Sequence, residues 1–394
     1  MTPKARALAV LFTAEIAAMA LWFAAAAVLP DMLREAPMSP ARQAALSAGV
    51  QLGFVIGALA SAALGLADRY DPRRVFAACA WSAAVANAGL LWAAPGSDVA
   101  IALRVAVGAL LAGVYPVGMK IAVGWSVKDR GFIVGALVGA LTLGSALPHA
   151  VRLAGGADWR AGLLAASALA AAAGALIFAA RLGPHHARAA TLSLRAMTEA
   201  WTNRRVRLAI AGYLGHMWEL YSFWAWIGVA AGASAAASNW DGGDWFGPLT
   251  AFCAIAAGAP ACVLAGRAAD RLGKAEVAAG AMVLSMACAI FTALAFGGPP
   301  WLFFACALAW GVTVIPDSAQ FSALVADAAP PERAGSLMTL QTALGFALTA
   351  GTVQAAPVMA AAVGWSWTLA AMGLGPVAGI AAMLRLRAMG PILR

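Results

Sequence analysis

Long apolar stretches alternate with short polar ones from one end of the chain to the other. Each is long enough to cross a bilayer as a helix, which needs about twenty residues at about 1.5 Å of rise per residue. Twelve such stretches can be read: 7–30, 44–66, 75–95, 99–124, 131–151, 161–180, 208–232, 245–266, 277–297, 300–325, 334–358 and 364–384. The alternating ten-residue pattern of a membrane β-barrel is not seen. The first stretch is too long for a cleaved signal peptide, carries Glu15, and has no clean polar break after a small-residue site. The pattern predicts an all-α membrane protein of twelve transmembrane helices.

Composition removes the alternatives. Hydrophobic residues are 63% of the 394 positions and charged residues 11%, against roughly 45–50% and about 25% in soluble proteins. That excludes a water-soluble chain and a disordered one. Cys79, Cys253, Cys262, Cys288 and Cys306 all lie in apolar runs without a CxxC pair. Neither a disulfide framework nor a zinc site is expected from them, and no metal or other cofactor is expected.

The net charge of +9 has a topological reading. If the N-terminus faces the cytoplasm, 20 of the 26 Lys and Arg fall in cytoplasmic segments and 4 (Arg34, Arg42, Arg152, Arg160) in outside segments, with Arg104 and Lys120 inside a span. This bias places both termini in the cytoplasm. The bases then lie beside anionic lipid, and no nucleic-acid partner is implied. The longest polar segment, 181–207, holds six Arg and divides the chain into an N-terminal six-helix bundle (1–180), a cytoplasmic linker (181–207) and a C-terminal six-helix bundle (208–394).

The two halves share a signature. The loop after the second span contains Gly65, Asp68, Arg69, Asp71, Pro72, Arg73 and Arg74; the loop after the eighth contains Gly266, Asp270, Arg271, Gly273 and Lys274. Asp68 and Asp270 are 202 positions apart (270 − 68), close to half the chain. A parallel six-plus-six repeat is a transporter arrangement. The paired Asp-Arg loops resemble motif A of the major facilitator superfamily, G-x-L-x-D-R-x-G-R-K. In the first copy Gly65 is one place late and Asp71-Pro72 replaces Gly-Arg. The run Arg104-Val105-Ala106-Val107-Gly108 is similar to the family's R-x-x-Q-G motif, with Val107 in place of Gln. The resemblance covers the whole chain. It implies two pseudo-symmetric bundles, alternating access, and a gate formed by Asp68, Arg69, Arg73, Arg74, Asp270 and Arg271.

Glu15, Arg104, Lys120, Glu219 and Asp317 are charged and lie within predicted spans one, four, four, seven and ten. A mid-bilayer charge costs about 2.5–3.5 kcal/mol on insertion scales and marks a functional-site candidate. By the resemblance, these are the four helices that line the central cavity. His216 and Glu219 are i,i+3 on one face of span seven, and both can exchange protons. Gly113 and Pro116 in span four, and Pro316 in span ten, predict corresponding helix breaks, a pointer to a binding site. Around them lie Tyr115, Tyr221 and Gln320. Asp317 and Lys120 are expected to pair across the cavity.

No Walker A, H-E-x-x-H or G-x-S-x-G pattern occurs, which disfavours an ATP-driven pump or a membrane hydrolase, and no enzyme is expected. The expected function is proton-coupled secondary transport of a small polar or charged solute. An uncoupled facilitator, a drug or metabolite efflux pump, and a non-transporting receptor or scaffold are the rivals. Span five carries Pro148 without the preceding Gly of the family's antiporter motif, which weakens efflux. The nitrate and cyanate permeases offer a looser likeness around Tyr115–Lys120 and Asp317–Val325, but spans two and eight lack an interior Arg. The expected partners are the solute, protons and the lipid bilayer, with the chain acting as a monomer in the plasma membrane of a bacterial cell. Tags at either terminus should resist protease added outside intact cells and be cleaved in inverted vesicles.

Overall fold

The computed structural model describes residues 1–125, 129–155, 158–185, 194–240 and 244–390, apart from the side chains of residues 67, 68, 130, 194–197, 331 and 332. Twelve helical spans are present among them: Pro3–Glu35, Pro40–Leu64, Pro72–Leu91, Asp98–Val123, Gly131–Gly155, Trp159–Ala179, Arg204–Ala237, Phe246–Leu272, Lys274–Leu294, Pro300–Ala328, Arg333–Val363 and Trp365–Ala388. They are called spans one to twelve below. The described residues contain no strand.

Local chemistry sets where the spans begin. Ser39, Asp71, Ser97, Asp158 and Asn203 cap spans two, three, four, six and seven, each side chain accepting from a backbone N–H two or three residues on. Pro40 and Pro72 then occupy the first helical turn, where a missing N–H costs nothing. Span two ends on Gly65 at φ 58°, a left-handed stop that other residues rarely adopt. In the polar segment between the halves, Leu194–Thr202 is helical. Arg333 at the start of span eleven donates to Glu199 of that helix at 3.0 Å.

Close helix approach carries the packing. A Cβ added at Gly53 would overlap the Val105 carbonyl, and one at Gly108 the Val50 carbonyl, so spans two and four meet backbone to backbone. The same crossing recurs in the second half, where a Cβ at Gly311 of span ten would overlap the Ala254 carbonyl of span eight. Between halves, span five lies along span eight: Gly139 faces the Ala259 carbonyl and Gly135 the Cys262 carbonyl. Spans two and eleven form the other seam. Small residues allow this because lipid offers helices no hydrophobic reason to associate, so van der Waals contact must supply it.

Spans four and ten break where expected, at Ala112–Val114 and at Ile315–Asp317. Span one also breaks, although nothing in the stretch 7–30 signals it. It runs from Pro3 to Glu35 as two helices, Pro3–Met19 and Ala24–Glu35, separated at Ala20–Phe23.

Gly108→Ala and Gly311→Ala should each lower the midpoint of thermal unfolding in detergent, at a cost of about 1–3 kcal/mol for forcing a methyl into packed backbone. Gly280→Ala, where an added Cβ meets nothing within 4 Å, is expected to be neutral or mildly stabilising.

Candidate functional site

The break in span one contains neither Gly nor Pro; its residues are Ala20, Leu21, Trp22 and Phe23. Its cause lies in span four. Arg104 donates from Nη1 to the Leu21 carbonyl at 3.0 Å and from Nη2 to the Trp22 carbonyl at 2.6 Å. Backbone carbonyls released from a helix inside a membrane must find donors elsewhere. A planar guanidinium serves two adjacent ones at once. Nη1 also donates to Asn87 Oδ1 at 3.3 Å, and Asn87 Nδ2 donates to the Leu163 carbonyl and to Ser167 Oγ. One network thus joins spans one, three, four and six. Arg104, expected as a solute- or proton-handling group, is instead committed to holding the break.

The break turns Trp22 and Phe23 toward the second half. Trp22 packs on Phe54 (centroids 5.0 Å), Phe346 (5.3 Å) and Tyr221 (5.6 Å), while Phe23 stacks on Tyr221 and meets Trp224 edge-on. Phe54 and Phe346 are 4.5 Å apart. This aromatic cluster joins spans one, two, seven and eleven across the interface of the halves. The indole N–H groups of Trp22 and Trp224 are buried there without a hydrogen-bond partner, and the Ser222 hydroxyl of span seven is likewise buried and unpartnered.

Glu15 sits seven residues before Trp22, roughly 10 Å along the helix axis. It is fully buried, and neither carboxylate oxygen has a hydrogen-bond partner. It lies against span four, where a Cβ at Gly118 would overlap Glu15 Oε2. Tyr115, first residue of the half-helix after the span-four break, is within electrostatic reach of Glu15 and Tyr213. Tyr213, on span seven, lies beside Thr342 of span eleven. Tyr115 and Tyr213 both lie within electrostatic reach of Tyr221. Glu15, Tyr115 and Tyr213 thus lie on spans one, four and seven near the aromatic cluster between the halves. The sequence singles out Glu15, Tyr115 and Tyr221 among these residues; Tyr213, Trp22, Phe23, Phe54 and Phe346 join them only in the structure.

A second group of charges lies within the C-terminal half. His216 Nδ1 stands 2.9 Å from Asp317 Oδ1, with the two side chains 1% and 2% exposed. Neither atom makes a well-aligned hydrogen bond. Asp317 closes the break of span ten, and its carbonyl accepts from the N–H of the buried Gln320. Glu219, one turn from His216, accepts from Ser285 Oγ at 2.9 Å and from Trp310 Nε1 at 2.6 Å. Glu219 therefore ties span seven to spans nine and ten and makes no pair with His216. The expected Lys120–Asp317 pair is replaced as well: Asp317 turns to His216, and the half-buried Lys120 is engaged in a contact of its own. Among the described residues, no three His, Cys, Asp or Glu are grouped to hold a metal ion.

Two buried charges escaped the sequence reading. Arg152, assigned to an outside loop, lies within span five and binds Asp31 of span one through two hydrogen bonds of 2.6 and 2.8 Å. Arg34 approaches the same Asp31 at 3.2 Å and reaches Asp244, just before span eight, at 2.6 Å. Gln354 of span eleven adds a second tie across the halves on this face, donating to the Ala41 carbonyl of span two.

Of the proposed gate, the Asp68 side chain lies outside the described residues. Arg69 and Arg271 are exposed. Arg73 donates to Asp71 at 3.1 and 2.7 Å; that hydrogen bond is the main cause holding the Asp71 carboxyl below its ordinary range. Asp270 reaches the other half, since a Cβ at Gly131 would stand 3.6 and 3.7 Å from its carboxylate oxygens. A carboxylate beside the first turn of span five is favourably placed against the helix dipole.

The sequence profile of the Major Facilitator Superfamily matches residues 11–352. The crystal structure of the nucleoside transporter NupG, in a mutant form, superposes with a TM-score of 0.72 at 13% identity, covering 96% of this chain and 99% of that one. At that identity the likeness is one of fold. No curated protein matches the sequence.

Arg104→Met should sharply reduce the yield of folded protein, because each carbonyl left unpaired in the break costs about 1–3 kcal/mol. Arg104→Lys should recover only part of it, since one ammonium cannot reproduce the planar two-carbonyl contact. Size-exclusion profiles and unfolding midpoints in detergent will read both.

Proposed function

The chain belongs to the Major Facilitator Superfamily, and on that premise we propose that this multi-pass secondary transporter moves a small polar or charged solute by alternating access, driven by protons. The observation that carries proton coupling is the His216–Asp317 pair, an acid and a base 2.9 Å apart and buried at a helix break. Ionisable groups within spans are costly, and their retention at a break points to a proton or solute pathway. Glu219, one turn away, holds its carboxylate between two donors and keeps span seven in register with the break.

The two halves rock about the aromatic cluster between them. Protonation of the His216–Asp317 pair alters the charge at the break of span ten, and with it the packing of span ten against span seven. At the face carrying the termini, which the Lys and Arg bias places in the cytoplasm, Asp270 latches the second half to the start of span five. The membrane is the plasma membrane of a bacterial cell.

In liposomes loaded with a pH dye, a solute identified by thermal shift should carry protons across with the wild-type protein. Asp317→Asn should lose uptake driven by a pH gradient while retaining solute exchange at equal pH on both sides. Gradient-driven uptake equal to wild type would remove the pair from the coupling path. Solute uptake without proton movement in the wild type would make the protein an uncoupled facilitator.

A further inference from the structure

The interface between the halves has a chemical polarity that selects its solute. At one end is Glu15, buried, with neither carboxylate oxygen hydrogen-bonded. At the other, roughly 10 Å away along span one, are the faces of Trp22, Phe54, Tyr221 and Phe346. Aromatic faces favour flat apolar bodies and cations. A buried carboxylate favours a cation with N–H donors.

The positive charges nearby are already committed. Arg104 is bound to two carbonyls and Asn87, and Arg152 to Asp31. Lys120 has a contact of its own. An anionic solute would meet Glu15, while Arg104 Nη1 and Nη2 are engaged at the break. Tyr115 and Tyr213, within electrostatic reach of Tyr221, carry hydroxyls that can accept from an ammonium or donate to a polar linker. The unpartnered indole N–H groups of Trp22 and Trp224 and the Ser222 hydroxyl suit an acceptor or a π face on the body of the solute.

Resting on the reading of the chain as a transporter, we propose that its solute is a protonated organic amine with an aromatic body, the ammonium held at Glu15 and the ring in the Trp22–Tyr221–Phe346 cluster. Glu15 is the specificity-determining charge and the cluster supplies the shape. This assignment is tested separately from proton coupling, which rests on His216 and Asp317.

A matched series isolates the charge: tryptamine as cation, indole-3-ethanol as its neutral analogue and indole-3-acetate as its anion. Their binding to the purified full-length protein in detergent is measured by isothermal titration calorimetry, with adenosine as a neutral nucleoside control. Tryptamine should bind most tightly, indole-3-ethanol at least about tenfold more weakly, and indole-3-acetate and adenosine not at all, because a buried charge pair contributes several factors of ten when one partner is removed. Glu15→Gln should weaken tryptamine to the level of indole-3-ethanol and leave the latter unchanged. Trp22→Leu should weaken both indoles. Glu15→Asp, which keeps the charge, guards against a folding defect and should retain preference for the cation.

Tighter binding of indole-3-acetate or adenosine, equal binding of all three indoles, no binding of any, or a cation preference that survives Glu15→Gln would each overturn the proposal. Amine binding that depends on Glu15, with no proton movement in liposomes, would leave this assignment standing and refute the coupling alone.

Discussion

One guanidinium governs the N-terminal half. Arg104 is buried within the membrane span, and its contacts are backbone carbonyls and an amide rather than a counter-ion. A helix cannot open in hydrocarbon unless the released carbonyls are answered. Arg104 answers two of them, and so permits span one to turn between Met19 and Ala24. Without that turn, Trp22 and Phe23 could not both face span seven, and the aromatic cluster between the halves would not form. A residue expected to touch the solute acts on the site by shaping the helix that carries it.

The halves share a backbone plan and differ in how they use buried charge. The glycine crossings of spans two and four recur in spans eight and ten, and spans four and ten break at corresponding places. Yet the first half spends its central cation on main-chain carbonyls, while the second half sets His216 against Asp317 and holds Glu219 between a hydroxyl and an indole. A duplicated backbone frame thus carries unequal charge chemistry in its two halves.

Much of this frame is legible in the sequence because it is periodic or local. Twelve apolar stretches require twelve spans, and Gly113, Pro116 and Pro316 announce the breaks in spans four and ten through their own backbone limits. The break in span one announces nothing locally; its partner is 83 positions away. Asp31 and Arg152 are 121 apart, and each taken alone reads as a charge at the end of a span. The His216–Asp317 approach was likewise hidden, because the i,i+3 spacing of His216 and Glu219 was the visible relation and the one across helices was not. The aromatic cluster is assembled from four spans, and no single stretch reveals which of the 15 Trp and 15 Phe in the chain belong to it.

At the face opposite the termini, Arg152, Asp31, Arg34 and Asp244 form a chain of charges whose links differ in their access to water. The Asp31–Arg152 link is nearly dry, with side chains 1% and 7% exposed, whereas the Arg34–Asp244 link, the one that joins the halves, has side chains 47% and 70% exposed. Mobile ions screen an exposed pair over a Debye length of about 8 Å at physiological ionic strength and hardly reach a buried one. Parting the halves on this face therefore breaks the link that dissolved salt can weaken and spares the one it cannot. Salt in the compartment bathing this face therefore weakens a tie between the halves and leaves the buried pair within the first half intact.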